Sequence, residues 1–159
     1  MEKNTREYLK VTQQDTEWIT RLNISPRQNE YSDTFYDYFS LKGIRVDTLQ
    51  PGSIACSFTV PSRLTDRNGD LAVGAIANIV DAIGGAMAYE NDAPMKFSVD
   101  MSISYLSKAK LNDEMEISAK LIGGKGGYAG TLVVLKNKLT GEIIAEGRHS
   151  LFCNPASKL

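Results

Sequence analysis

Apolar residues recur along this chain with two different periods, and the changes of period mark its parts. Ile44 and Val46 alternate with polar neighbours, as do Ile54, Cys56, Phe58 and Val60, and Pro51-Gly52 lies between the two runs. Period two interrupted by a Pro-Gly turn predicts an antiparallel hairpin. Residues 61–72 have the composition of a loop. Then Ile76, Val80, Ile83 and Met87 fall at i, i+4, i+7 and i+11, one stripe of a helix expected from about Val73 to Tyr89. Its few charges predict burial on most sides. After Ala93-Pro94 the period returns to two. Phe97, Val99, Met101, Ile103 and Tyr105 are expected on one face of a strand, with Ser98, Asp100, Ser102 and Ser104 on the other. Met115 to Leu121, Thr131 to Leu135 and Ile143 to Phe152 give three more strands. Gly123-Gly124-Lys125-Gly126-Gly127 and Leu139-Thr140-Gly141 read as their connections.

The first 40 residues are polar. Asp15 is a candidate cap for a short helix carrying Trp18, Ile19 and Leu22, which Ser25-Pro26 would end. A second helical stretch, from Ser32 to Phe39, carries Phe35, Tyr36 and Phe39, aromatic residues expected to pack on the main domain. The predicted organisation is a helical extension over residues 1–40, one domain over 41–154 and a tail over 155–159. Strand, strand, helix and four strands make an α+β domain. A lone apolar helix in it needs an antiparallel sheet curled around it.

Composition narrows the function. The 159 residues carry a formal charge of -1, so no strong field draws the chain to nucleic acid or an anionic membrane. No apolar run approaches the ~20 residues of a membrane-spanning helix, and no signal-peptide pattern opens the chain. Cys56 and Cys153 are the only cysteines and are read as free thiols; no Cys/His cluster has metal-ligand spacing. The single histidine, His149, has no acid or nucleophile beside it in sequence and reads as structural. Ser157-Lys158-Leu159 is the tripeptide read by the peroxisomal import receptor, an address that implies acyl-CoA chemistry.

Three strings sharpen this picture: Ser98-Val99-Asp100-Met101-Ser102-Ile103, Ser107-Lys108-Ala109-Lys110-Leu111, and Gly141 to His149, reading Gly-Glu-Ile-Ile-Ala-Glu-Gly-Arg-His. With Gly74-Ala75-Ile76-Ala77-Asn78-Ile79-Val80-Asp81 upstream, residues 43–153 resemble the small hotdog acyl-CoA thioesterases of the thioesterase-superfamily-member type. The resemblance implies a hotdog fold, a homodimer or homotetramer with active sites at subunit interfaces, an acyl-CoA substrate and no metal or cofactor. It implies three catalytic parts: Asp81 as base or nucleophile, the Gly74 backbone N–H (with Val73 beside it) as donor to the thioester oxygen, and Ser98, from the partner subunit, to orient water.

The chain departs from the family at the helix opening, where Ala72-Val73-Gly74 stands in place of His-Gly-Gly, and in the preceding loop, where Asp66 replaces an asparagine. Asn68 is the nearest uncharged side-chain donor. Lys108, Lys125, Lys110 and Arg148 are candidates for the CoA phosphates. The residues leave three functions open: hydrolysis of a fatty or aromatic acyl-CoA, binding of an acyl-CoA or other small ligand without cleavage, and isomerase or lyase chemistry on the same scaffold. An acid in an apolar helix starts partly buried, and burial disfavours its charged form. Gly84-Gly85 costs about 1 kcal/mol per glycine in a helix interior, which points to tight packing there.

Overall fold

A computed structural model describes residues 10–21, 39–89 and 96–153, the side chains of Asp15, Trp18 and Ile19 excepted. The chain divides into two compact units, Met1–Tyr38 and Phe39–Leu159. The described part of the first is helix α1, Gln13–Arg21. It starts before the expected cap: the Thr16 N–H reaches the Thr12 carbonyl at 3.1 Å, so Asp15 lies inside the first turn. Leu22, Ser25-Pro26, most of the second aromatic stretch and the Ser157-Lys158-Leu159 tripeptide lie outside the described residues.

The second unit holds strands β1 (Arg45–Gln50) and β2 (Ser53–Thr59), helix α2 (Val73–Ala88), and strands β3 (Phe97–Tyr105), β4 (Glu114–Lys125), β5 (Tyr128–Asn137) and β6 (Ile143–Phe152). All strand pairs are antiparallel, in the order β1-β2-β4-β5-β6-β3. The expected hairpin forms across Pro51-Gly52, where Gly52 takes φ +76°. The expected glycine loop is shorter than its composition suggested. β4 and β5 pair to Lys125 and Tyr128, leaving Gly126-Gly127 (φ +61° and +85°) as a two-residue turn that demands left-handed backbone at both positions.

Helix α2 packs on the inner face of the sheet, against β3, β4, β5 and β6. Ile76, Ile79, Val80 and Ile83 join Met115, Ile117, Val133, Leu135 and Ile144 in one core, with Phe39 against its margin. The apolar stripe is thus buried as its spacing implies. Burial on most sides does not follow within one chain: Val73, Gly74, Asp81 and Ala86 are exposed. Strand β3 is an edge strand and mostly exposed, with Phe97 at 57% and Val99 at 55%.

Strand β3 also breaks the expected alternation. A bulge between Ser98 and Asp100 shifts its register on β6, so that Ser98 pairs with Leu151 and Met101 with His149. Past the bulge Ile103 packs on the core, and the Tyr105 hydroxyl donates to the Val73 carbonyl at 3.4 Å. Ser98 therefore shares the inner face with these residues, where uninterrupted period two would have turned it outward.

Candidate active site

Val80 and Asp81 show how the helix is seated. The Val80 side chain is fully buried and presses on Gly147 of β6, where an added Cβ would stand 2.5 Å from Val80 Cγ1. One turn on, a Cβ at Gly84 would stand 2.8 Å from Thr131 Oγ1 and 2.9 Å from His149 Nδ1. Two glycines, one on the strand and one on the helix, let the elements approach more closely than side chains permit. That approach carries Asp81 to the mouth of the interface between α2, β3 and β6.

Three side chains meet there. The Ser98 hydroxyl donates to Asp81 Oδ1 at 2.8 Å. His149 Nε2 lies 2.9 Å from Ser98 Oγ and 3.2 Å from the same carboxylate oxygen. The Asp81 side chain remains 52% exposed, whereas the imidazole is buried. Burial holds the His149 ring below the ordinary histidine range, with the Asp81 charge pulling the other way. The Nδ1 atom is buried and has no partner among the described residues. A neutral ring buries a bare lone pair at lower cost than a bare N–H, so the proton belongs on Nε2. Nε2–H then donates to Ser98 Oγ and Asp81, and Ser98 donates to Asp81. Both donors converge on Oδ1 and leave Oδ2 open.

Sequence reasoning assigned His149 a structural role; the structure brings it to Asp81. The signal lay in register: His149 pairs with Met101 on one side and Thr131 on the other, facing the helix between β3 and β5. Ser98 reaches Asp81 within one chain, where the resemblance implied a serine from a partner.

The helix opening is a separate place. Ala72 supplies no side-chain cap, so the first-turn N–H groups carry the uncompensated positive end of the helix. Val73 and Gly74 are exposed, and a Cβ at Gly74 would meet nothing within 4 Å, so the Gly74 amide is open to approach. Seven residues at 1.5 Å rise put this amide about 10 Å along the helix from Asp81.

The remaining candidates scatter. Asp66 Oδ1 accepts the N–H groups of Asn68 (2.8 Å) and Asp70 (3.0 Å), which occupies it with shaping its own loop. The Asn68 side chain is exposed. Lys108 sits 2.9 Å from the buried Asp70. Lys125 ends β4 at the end of the sheet where β6 finishes, while Lys108 follows β3 at the opposite end of the strands. One chain does not bring the two lysines together. Arg148 pairs with Ser102 and Leu132 and is exposed.

Comparison with known proteins agrees with this architecture. No family model matches the chain. It is 39% identical over 102 residues to acyl-coenzyme A thioesterase 13 of Homo sapiens, covering 63% of this chain and 72% of that protein. Two solved structures superpose well. Zebrafish thioesterase superfamily member 2 has a TM-score of 0.69 at 29% identity, covering 90% of this chain and 99% of that one. Thioesterase superfamily member 2 from Mus musculus gives 0.67 at 32% identity, over 75% and 88%. A six-stranded antiparallel sheet packed on one long helix is the hotdog fold of these thioesterases. The chain belongs to the acyl-coenzyme A thioesterase 13 family of that superfamily.

Proposed function

We propose that the chain hydrolyses acyl-CoA thioesters to the free acid and CoA. The observation that carries this reading is the convergence of Ser98 and His149 on one oxygen of Asp81, which orients the carboxylate and leaves its second oxygen to take a proton from water. The activated water adds to the thioester carbonyl carbon. The carbonyl oxygen becomes an oxyanion, which a first-turn amide stabilises. The intermediate then collapses, the C–S bond breaks and the sulfur leaves as CoA thiol, taking up the proton.

Base and amide must flank one carbonyl, yet they lie about 10 Å apart on their helix. This separation supports a homodimer in which Gly74 of one copy faces Asp81 of the other. It moves the partner's contribution from the serine to the helix opening. The exposed apolar edge strand β3 supports the same assembly, since an unpaired edge of this kind is a template for a second copy. The Ser157-Lys158-Leu159 sequence supports a peroxisomal location, reached through the import receptor.

The test is a panel of aliphatic and aromatic acyl-CoA esters with detection of released thiol. The chain releases thiol, and Asp81→Asn loses at least about 100-fold in kcat. Ester binding with no thiol release from the unmodified chain would make it a binder instead.

A further inference from the structure

Asp70 is the one fully interior carboxylate among the described residues; its side chain is 5% exposed. Lys108 Nζ holds Oδ2 at 2.9 Å, and Lys110 Nζ pairs with Oδ1. The acid comes from the loop that leads into α2, and both lysines come from the connection between β3 and β4. The backbones are stitched alongside. Leu111 N–H donates to the Gly69 carbonyl at 2.9 Å, Leu71 N–H donates to the Ala109 carbonyl at 2.8 Å, and Asp70 and Lys110 form a bridge. On the other side Ala72 N–H donates to the Leu64 carbonyl at 2.9 Å. Ala72 is the residue from which α2 starts.

These attachments converge on the helix opening. Two cations on one interior carboxylate form a tie, because losing both leaves the buried charge without compensation. Three residues beyond Asp70 the amides of Val73 and Gly74 begin. Their direction follows that of the segment Leu71-Ala72, which the tie holds against the β3–β4 connection. Loop shape has its own source in the Asp66 carboxylate, so the Asp70 tie adds something different: it fixes the loop to the sheet.

We propose that Asp70, through Lys108 and Lys110, is a positioning residue that aims the first-turn amides of α2 at the thioester oxygen. The inference rests on the reading of those amides as oxyanion donors. It gives Lys108 work other than binding CoA phosphate. A misaimed donor weakens stabilisation in the transition state more than in the ground state, so the loss falls on kcat.

The experiment compares Asp70→Asn with the double variant Lys108→Met/Lys110→Met in the full chain. Both are assayed on an acyl-CoA and on the matching N-acetylcysteamine thioester, which has no phosphate. The expected result is a drop of about tenfold in kcat for both variants, with KM within about twofold, and the same drop on the phosphate-free thioester. If either variant fails to fold, Asp70→Asn for loss of the tie or the double variant for its stranded carboxylate, the other carries the test with the same expected drop. Unchanged kcat in the folded double variant overturns the proposal. So does a loss seen only as raised KM on the CoA ester and absent from the N-acetylcysteamine thioester, which would return the lysines to phosphate binding. Neither result touches the hydrolase reading, which Asp81→Asn tests separately.

Discussion

Asp81 Oδ1 receives two hydrogen bonds, and the second comes from a neutral histidine whose proton sits on Nε2. Replacing His149 with Phe keeps an aromatic ring and removes the donor. A hydrogen bond to a charged group contributes about 1.5–3 kcal/mol, so kcat of His149→Phe is expected to fall about 10- to 100-fold in thiol-release assays. The same residue gives the fold a pH dependence whose sign is set by burial. The unfolded ring takes up a proton near its ordinary pKa, about 6.5, and the folded ring only at lower pH. Stability therefore falls as pH drops through about 6.5 toward the folded value, and His149→Phe flattens that part of a melting-temperature profile. The Asp70 carboxyl, held below the carboxylate range by Lys110 and Lys108, loses its contribution only at more acid pH, as it is protonated. Of the residues proposed for catalysis, Asp81 stood out as the acid of an apolar helix, and the resemblance picked out Gly74 and Ser98. His149 did not stand out, because its partners lie 51 and 68 positions earlier and only strand register joins them.

Helix α2 works as an element because it can lie close to β5 and β6. A side chain at Gly84 would meet Thr131 and His149 at distances below 3 Å, so the helix must lift to admit it. Gly84→Ala is expected to cost about 1–3 kcal/mol of stability, the range for overpacking a tight contact. It is also expected to lower kcat by drawing Asp81 away from His149; thermal melts and thiol-release assays on the same protein check both. Periodicity located this helix to within a residue, because its stripe of Ile and Val is long and regular. The glycine pair announced tight packing without saying against what. The bulge in β3 was invisible for a plainer reason. Phe97 and Val99 continue the apolar alternation of Met101, Ile103 and Tyr105, so nothing in composition marks where the strand turns over. That one irregularity is what turns Ser98 inward.

At the scale of the molecule, the succession of strands and the one helix along the chain could be reasoned out from the changes of period, and the family strings agree with it; the order β1-β2-β4-β5-β6-β3 within the sheet could not. Nor could the placement of Ser98, because its reach to Asp81 within one chain depends on the bulge in β3. The proposed arrangement, with each site shared between two copies, predicts complementation. Asp81→Asn keeps its helix opening; Gly74→Pro removes the amide at a first-turn position that tolerates proline and keeps its acid. Each variant alone is expected to be nearly inactive. Unfolded together and refolded, random pairing restores one sound site in half of the dimers, about a quarter of normal turnover per copy. No recovery in the mixture would place base and amide in the same copy. The 10 Å of helix between Gly74 and Asp81 thus has a genetic meaning. In the proposed dimer each polypeptide spends its two assets on two different reactions, so two alleles damaged at opposite ends of the helix partly rescue one another, while two copies of either lesion do not.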